Sequence, residues 1–273
     1  MSSSTQVLAP LWETSPNQAE WEILVGKMNK TFEVFEKHIN NCDNGYQEGD
    51  DRLAVAGPLT GGQEPLDLYV LATEHAPEGN IIEIGSWLGL STITLALALK
   101  ERYKEPIYKL YAIDPHDKDH SIVSEGIGTV DLWFDAAPKY FDWHQLFLDN
   151  IKKWDVEDYI EVRREFSHDS DISSIDNVSM VWIDGDHREE PFYGDLNKFV
   201  EKADADAVIA MHDQHEHAVI RALKRYKDEN PNVLEPIGTY NDDGILIEVE
   251  WNSDPSFMMG FYRKKQHGRR FIT

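Results

Sequence analysis

The chain has 273 residues, 41% of them hydrophobic, which suffices for one sizeable core; 50 acidic against 26 basic residues leave a formal net charge of −24. So acidic a surface repels phosphate backbones, so nucleic acid is not an expected partner; the one basic cluster, RKKQHGRR at 263–270, is a short terminal run of the kind water solvates. A lone cysteine, Cys42, excludes an internal disulfide, no basic-then-apolar leader opens the chain, and no apolar run is long enough for a membrane span, so a cytoplasmic protein with no membrane partner is expected.

Residues 1–14 read as a loose arm. Ser15-Pro16-Asn17-Gln18 then reads as a helix start, with a serine cap, proline at the first position and glutamine three after the cap. Trp21, Leu24, Met28, Phe32, Phe35 and Ile39 follow at three- and four-residue spacing, one apolar helical stripe ending in the polar loop 40–51. Residues 1–63 are thus expected to be an arm and helical region, serving as a cap or as the contact of a homodimer. Residues 64–273 are expected to form one α/β domain, beginning with a helix over 64–76.

From there strand and helix patterns alternate. Strands are predicted at 80–85, 107–114, 158–166, 179–184 and 206–213, and helices at 90–102, 143–153, 189–202 and 216–228. Short apolar runs separated by helices predict a Rossmann-like, doubly wound, mostly parallel sheet covered on both faces. At the end, 244–251 and 256–264 lie close in sequence around NSDP, and are predicted to pair antiparallel at one sheet edge. Residues 115–142 interrupt the alternation. A connection this long after a parallel strand is often a lid. Its Trp133, Phe134, Tyr140 and Phe141 could shape an apolar acceptor pocket with the 57–65 segment, or pack on one another as an inserted helix.

Ligands of open parallel sheets collect at the carboxyl ends of the strands. Here the five ends carry Glu83 to Ser91, then Asp114, then Ser167-His168, then Asp184-Gly-Asp186-His187-Arg188, then His212-Asp213. The turn after the first strand, EIGSWLGLS, has Gly85 and Gly89 but no G-x-G-x-x-G. Trp87 would obstruct a pyrophosphate and Glu83 would repel one. Asp114 is well placed to accept ribose hydroxyls. The pocket therefore calls for a nucleoside that lacks phosphates and carries positive charge.

These residues resemble the class I S-adenosylmethionine-dependent methyltransferases. EIGSWLGLS is similar to their first motif and YAIDP to their second. MVWIDGDHREEPFYGDL followed by AVIAMHD resembles the small-molecule O-methyltransferases of the macrocin O-methyltransferase-like group and, more distantly, catechol O-methyltransferase. The resemblance covers roughly 65–250. It implies S-adenosyl-L-methionine as cofactor, with Glu83, Gly85, Ser86, Gly89 and Ser91 around its methionine part, Asp114 on the ribose, and Ser167 and His168 at the adenine. It also implies a divalent ion such as magnesium or manganese at Asp184 and Asp213. His212 stands at the third metal position but departs from the oxygen donors that magnesium prefers: either it is not a ligand, or the ion is one such as manganese or iron, or no metal is needed.

Methyl transfer to a hydroxylated small molecule needs a nucleophilic oxygen, supplied by a base or by a bound cation. For the base, His187 is favoured, ahead of Asp186 and His212. Three alternatives stay open: an N-methyltransferase on the same scaffold, an NAD-dependent oxidoreductase, and a non-catalytic nucleoside-binding module.

Overall fold

Strands and helices alternate through the residues that the computed structural model describes, 63–116, 143–214, 216–240, 246–247 and 259–265. The readings made for 1–62, for the insertion from 117 to 142 and for the NSDP turn lie outside them. In chain order the elements are α1 (Gln63–Val70), continued by a π-helical turn (Leu71–His75), β1 (Asn80–Ile84), α2 (Leu90–Tyr103), β2 (Leu110–Ile113) and α3 (Trp143–Lys153). After a 3-10 turn (Glu157–Tyr159) come β3 (Ile160–Arg163), β4 (Val178–Ile183), α4 (Glu189–Asp195) with a second π-helical turn (Leu196–Val200), β5 (Val208–Met211) and α5 (His217–Glu229). The chain returns as β6 (Leu234–Tyr240), β7 (Leu246–Ile247) and β8 (Gly260–Lys264).

These strands form one sheet in the order β3-β2-β1-β4-β5-β8-β6-β7. The first five run parallel. Every residue of β4 and β5 is buried, as it must be in a strand covered on both faces. Side chains alternate between two cores. Ile81, Leu110, Ala112, Met180, Trp182, Val208 and Ala210 face α1, α2 and α3, while Ile82, Ile84, Ile113, Val181, Ile183, Ile209 and Met211 face α4 and α5. Helix α5 shows why it docks: Ala218, Val219, Ala222, Leu223 and Tyr226 make one buried stripe, and Arg221, Lys224, Arg225 and Asp228 occupy other faces.

The antiparallel edge is present but built differently from the sequence expectation. Among the described residues of the two segments, Leu246–Ile247 and Gly260–Lys264 are not neighbours in the sheet. Both β7 and β8 pair with β6, a strand the sequence reading missed, and β8 inserts between β5 and β6. Pro236 lacks an amide hydrogen, and the ladder shifts register between Pro236 and Gly238. Those two residues weaken the strand pattern of the segment. The second and third strands are also shorter than predicted, 110–113 and 160–163, with Glu157–Tyr159 turned into the 3-10 element.

Candidate active site

Strand register sets a row of residues at the carboxyl edge. Ile84 stands level with Ile113 and Ile183, and Ile183 with Met211. Their successors Gly85, Asp114, Asp184 and His212 therefore lie side by side. Strand order reverses between β1 and β4, the place where a crevice opens in such sheets.

The sequence reading places the two turn glycines at a ligand; each also lies close against protein neighbours. At Gly85, with φ 85°, a Cβ would stand 2.0 Å from the Asp184 carbonyl oxygen. At Gly89, with φ 98°, it would stand 3.1 and 3.3 Å from the ring of Phe147 on α3. The turn is held from two more directions. Asp114 Oδ2 accepts the amides of Ser86 (2.8 Å) and Trp87 (2.9 Å), and its Oδ1 accepts the amide of His116 (2.6 Å). Asn150 of α3 donates to the Leu88 carbonyl at 2.8 Å. His116 Nε2 stands 2.9 Å from the Trp87 carbonyl, which can only accept, so that nitrogen carries a proton. Of the roughly four acceptor positions of a carboxylate, Asp114 commits three to backbone amides, so it serves the turn as well as any ribose.

Glu83 points to the α2 side and is wholly buried. Its Oε2 accepts the hydroxyls of Thr92 (2.5 Å) and Ser86 (3.0 Å), and its Oε1 has no hydrogen-bond partner among the described residues. Burial pushes its pKa up to about 7, against the pull of the Ser91, Thr92 and Ser86 hydroxyls. Thr92 escaped the sequence reading, although it lies on the helical turn that faces Glu83.

Beyond β4 and β5, Asp184, His187, His212 and Asp213 each offer one donor atom, and the four atoms lie within 4.8 Å of one another. His212 Nδ1 lies 3.2 Å from Asp184 Oδ1 and 3.0 Å from Asp213 Oδ2. His187 Nδ1 lies 3.1 Å from Asp213 Oδ2, and its Nε2 is 3.5 Å from Asp184 Oδ1. The His212 amide donates to the Ile183 carbonyl at 3.0 Å, and the Trp182 indole packs edge-on against its ring. Burial alone would lower the His187 pKa; the Asp184 and Glu216 carboxylates and the charge of Asp213 outweigh it and push it up to about 10. His212 rises well above its usual value against the same burial, because Asp184 and Asp213 flank it. Burial would likewise raise Asp184, yet the charge of His212 and the nearby His187 hold it down at about 2. Glu216, 3.7 Å from His187 Nδ1, stands beside the cluster; the sequence reading missed it, though MHDQHEH carries it.

Asp186 stands apart from this cluster. Both its oxygens are held by the Arg188 guanidinium, and Oδ1 also accepts the Arg188 amide at 2.9 Å. A carboxylate so engaged has little capacity left for a substrate proton.

The 166–170 turn, where Ser167 and His168 were expected at an adenine, is fastened by α4 and the π-helical turn that continues it. Lys198 Nζ donates to the carbonyls of Ser167 (2.7 Å), His168 (3.2 Å) and Ser170 (2.6 Å). Ser167 is half-buried, whereas His168 is exposed and stacks on Phe166. Asp195 is buried beneath Gly185, and burial pushes its pKa up to about 7, opposed by Ser167 and reinforced by the charge of Asp186. Nothing in the sequence singles out Lys198, because its partners are backbone atoms of another loop.

Residues 82–214 match a family model described as a methyltransferase domain. No curated protein matches the chain significantly. The fold is similar to that of the O-methyltransferase NovP, at 11% identity and a TM-score of 0.57, covering 88% of this chain and 98% of that one. It is also similar to the O-methyltransferase TomG from Streptomyces achromogenes, involved in tomaymycin synthesis and solved in complex with SAM, at 15% identity and a TM-score of 0.50, covering 86% and 99% of the two chains. At these identities the likeness is one of fold. Among the described residues, no helix is long and apolar enough to cross a membrane.

Proposed function

Because residues 82–214 match a methyltransferase-domain model and the sheet is Rossmann-like, we propose S-adenosylmethionine-dependent methyl transfer to a hydroxyl of a small molecule. One observation carries the reading: the glycine turn and the Asp184–His187–His212–Asp213 cluster meet at the strand-order reversal, Gly85 packing directly on the Asp184 backbone. A cofactor seated on the turn and an acceptor seated at the cluster would then be neighbours, as an in-line displacement requires. NovP and TomG are O-methyltransferases by description, which favours oxygen as the acceptor atom.

In this reading buried Glu83, with Ser86 and Ser91 beside it, faces the cationic methionine part. Asp114 orders the turn and offers its remaining acceptor position to the ribose. Ser167, on the turn that Lys198 fastens, meets the adenine, with His168 at its exposed rim. The cluster fits a divalent ion: two carboxylates match its charge, and His187 Nε2 is buried without a hydrogen-bond partner among the described residues. Such an ion, held by Asp184, His212 and Asp213, would lower the pKa of an acceptor hydroxyl bound to it. The Arg188 clamp on Asp186 leaves activation of the acceptor to the cluster. The acceptor oxygen then bonds to the methyl carbon as the carbon–sulfur bond breaks, releasing S-adenosylhomocysteine and a proton.

The test is calorimetric titration with S-adenosylhomocysteine and with NAD, followed by transfer of radiolabelled methyl to phenolic, sugar and amine acceptors. Binding of the homocysteine nucleoside and labelling of hydroxyl acceptors are expected. Binding of NAD alone would overturn the reading, and labelling of amines alone would overturn its oxygen specificity.

A further inference from the structure

We infer that the four-residue cluster is a two-imidazole, two-carboxylate site in which His187 is a metal ligand rather than a base, and that it selects a first-row transition ion over magnesium. Its role in methyl transfer rests on the reading above; the binding preference does not.

The donor set is the first ground. Magnesium binds through oxygens and keeps much of its water, whereas imidazole suits manganese, iron, cobalt, nickel and zinc. Here two of four convergent donors are ring nitrogens, His187 on the loop after β4 and His212 at the end of β5. The distances are the second. Donors bound at about 2.0–2.2 Å stand about 2.9 Å apart on an octahedral edge and about 3.4 Å apart on a tetrahedral one. The separations His212 Nδ1–Asp213 Oδ2, His212 Nδ1–Asp184 Oδ1 and His187 Nε2–Asp184 Oδ1 are 3.0, 3.2 and 3.5 Å.

The two nitrogens of His187 then take different tasks. Nε2 is buried and without a hydrogen-bond partner among the described residues, which is costly for a polar atom unless something binds it. Nδ1 faces Glu216, a carboxylate outside the donor set, at 3.7 Å, with the donor oxygen of Asp213 at 3.1 Å. A carboxylate on one ring nitrogen orients the imidazole and leaves the other nitrogen to the ion, the usual arrangement around metal-bound histidine. Glu216 is thus a positioning residue that acts through His187. A base would need its nitrogen open to substrate, but the His187 side chain is only 13% exposed and that of His212 5%. Asp213 holds φ 51°, a left-handed conformation that aspartate tolerates better than most residues and that sets its carboxylate beside both rings.

The test uses the full chain, stripped with EDTA and dialysed. Mn(II), Co(II), Zn(II) and Mg(II) are titrated separately by calorimetry, with the visible spectrum recorded for Co(II) and S-adenosylhomocysteine titrated as a control. The wild-type protein is expected to bind Co(II) and Zn(II) roughly tenfold or more tighter than Mg(II), with cobalt absorption bands shifted from those of the aqueous ion. His187→Gln and His187→Ala should each weaken Co(II) by roughly 10–100-fold or more and change those bands, with S-adenosylhomocysteine affinity retained. Mg(II) binding as tightly as the transition ions would overturn the selectivity, and unchanged cobalt affinity and spectrum in the folded variants would overturn the role of His187. Absence of any metal binding, with the nucleoside still bound, would overturn this inference and leave the methyltransferase reading standing. Metal binding without nucleoside binding would do the reverse.

Discussion

Substituting Gly89 by alanine separates a glycine kept for packing from one kept for a ligand. The backbone at Gly89 has φ 98° and ψ 17°, a region in which a side chain costs about 1–2 kcal/mol. The new methyl group would also stand 3.1 and 3.3 Å from two ring carbons of Phe147, itself fully buried and unable to swing into solvent. Overpacking of that kind costs about 1–3 kcal/mol, so Gly89→Ala is expected to lose about 2–5 kcal/mol in total. Urea unfolding of the metal-free, ligand-free protein measures it directly. A double-mutant cycle with Phe147→Leu separates the two parts. The smaller side chain should recover the steric share and leave the backbone share, a favourable coupling of about 1–3 kcal/mol. If Gly89→Ala unfolds at the wild-type urea concentration while losing S-adenosylhomocysteine, the glycine serves the ligand and the packing argument is refuted.

Burial raises the Glu83 pKa from 4.5 to about 7, so the folded state holds that proton longer than the unfolded chain does. The associated stability is whole below pH 4.5, is lost as pH rises through 7 and amounts to about 3 kcal/mol. Glu83→Gln should flatten that part of the stability–pH curve; a curve parallel to wild type across the window would show that Glu83 does not carry it. Lys198→Met removes the donor that ties three carbonyls of the 166–170 turn, at an expected cost of about 1–3 kcal/mol. Hydrogen exchange there should quicken and S-adenosylhomocysteine bind more weakly, whereas unchanged exchange would mean the turn holds itself. Asp186→Asn, on a residue clamped by Arg188, should keep methyl transfer within about tenfold of wild type, short of the 10²–10⁴ that a general base supplies. A loss in that larger range would point to Asp186 as the base.

The sequence alone determined the alternation of strands and helices and the polar character of the strand ends. Both are local signals: an apolar run such as VSMVWI must be covered on two faces whatever its neighbours, and an acid that ends it stands at the carboxyl edge. Asp114, Asp184, His212 and Asp213 were legible for that reason. The tertiary structure decided what those residues face. His187 and His212 are 25 positions apart and meet only because β4 and β5 are paired with Ile183 level with Met211. The glycines of EIGSWLGLS advertised a close approach to a ligand, and only packing showed that the Asp184 carbonyl and the Phe147 ring also stand against them. Strand β6 stayed hidden because Pro236 and Gly238 weaken its local pattern, while the ladder holding it lies with β8, more than twenty residues further on. Period and polarity are written within a few residues of chain; register and contact arise between segments, and the chemistry of this site depends on the second.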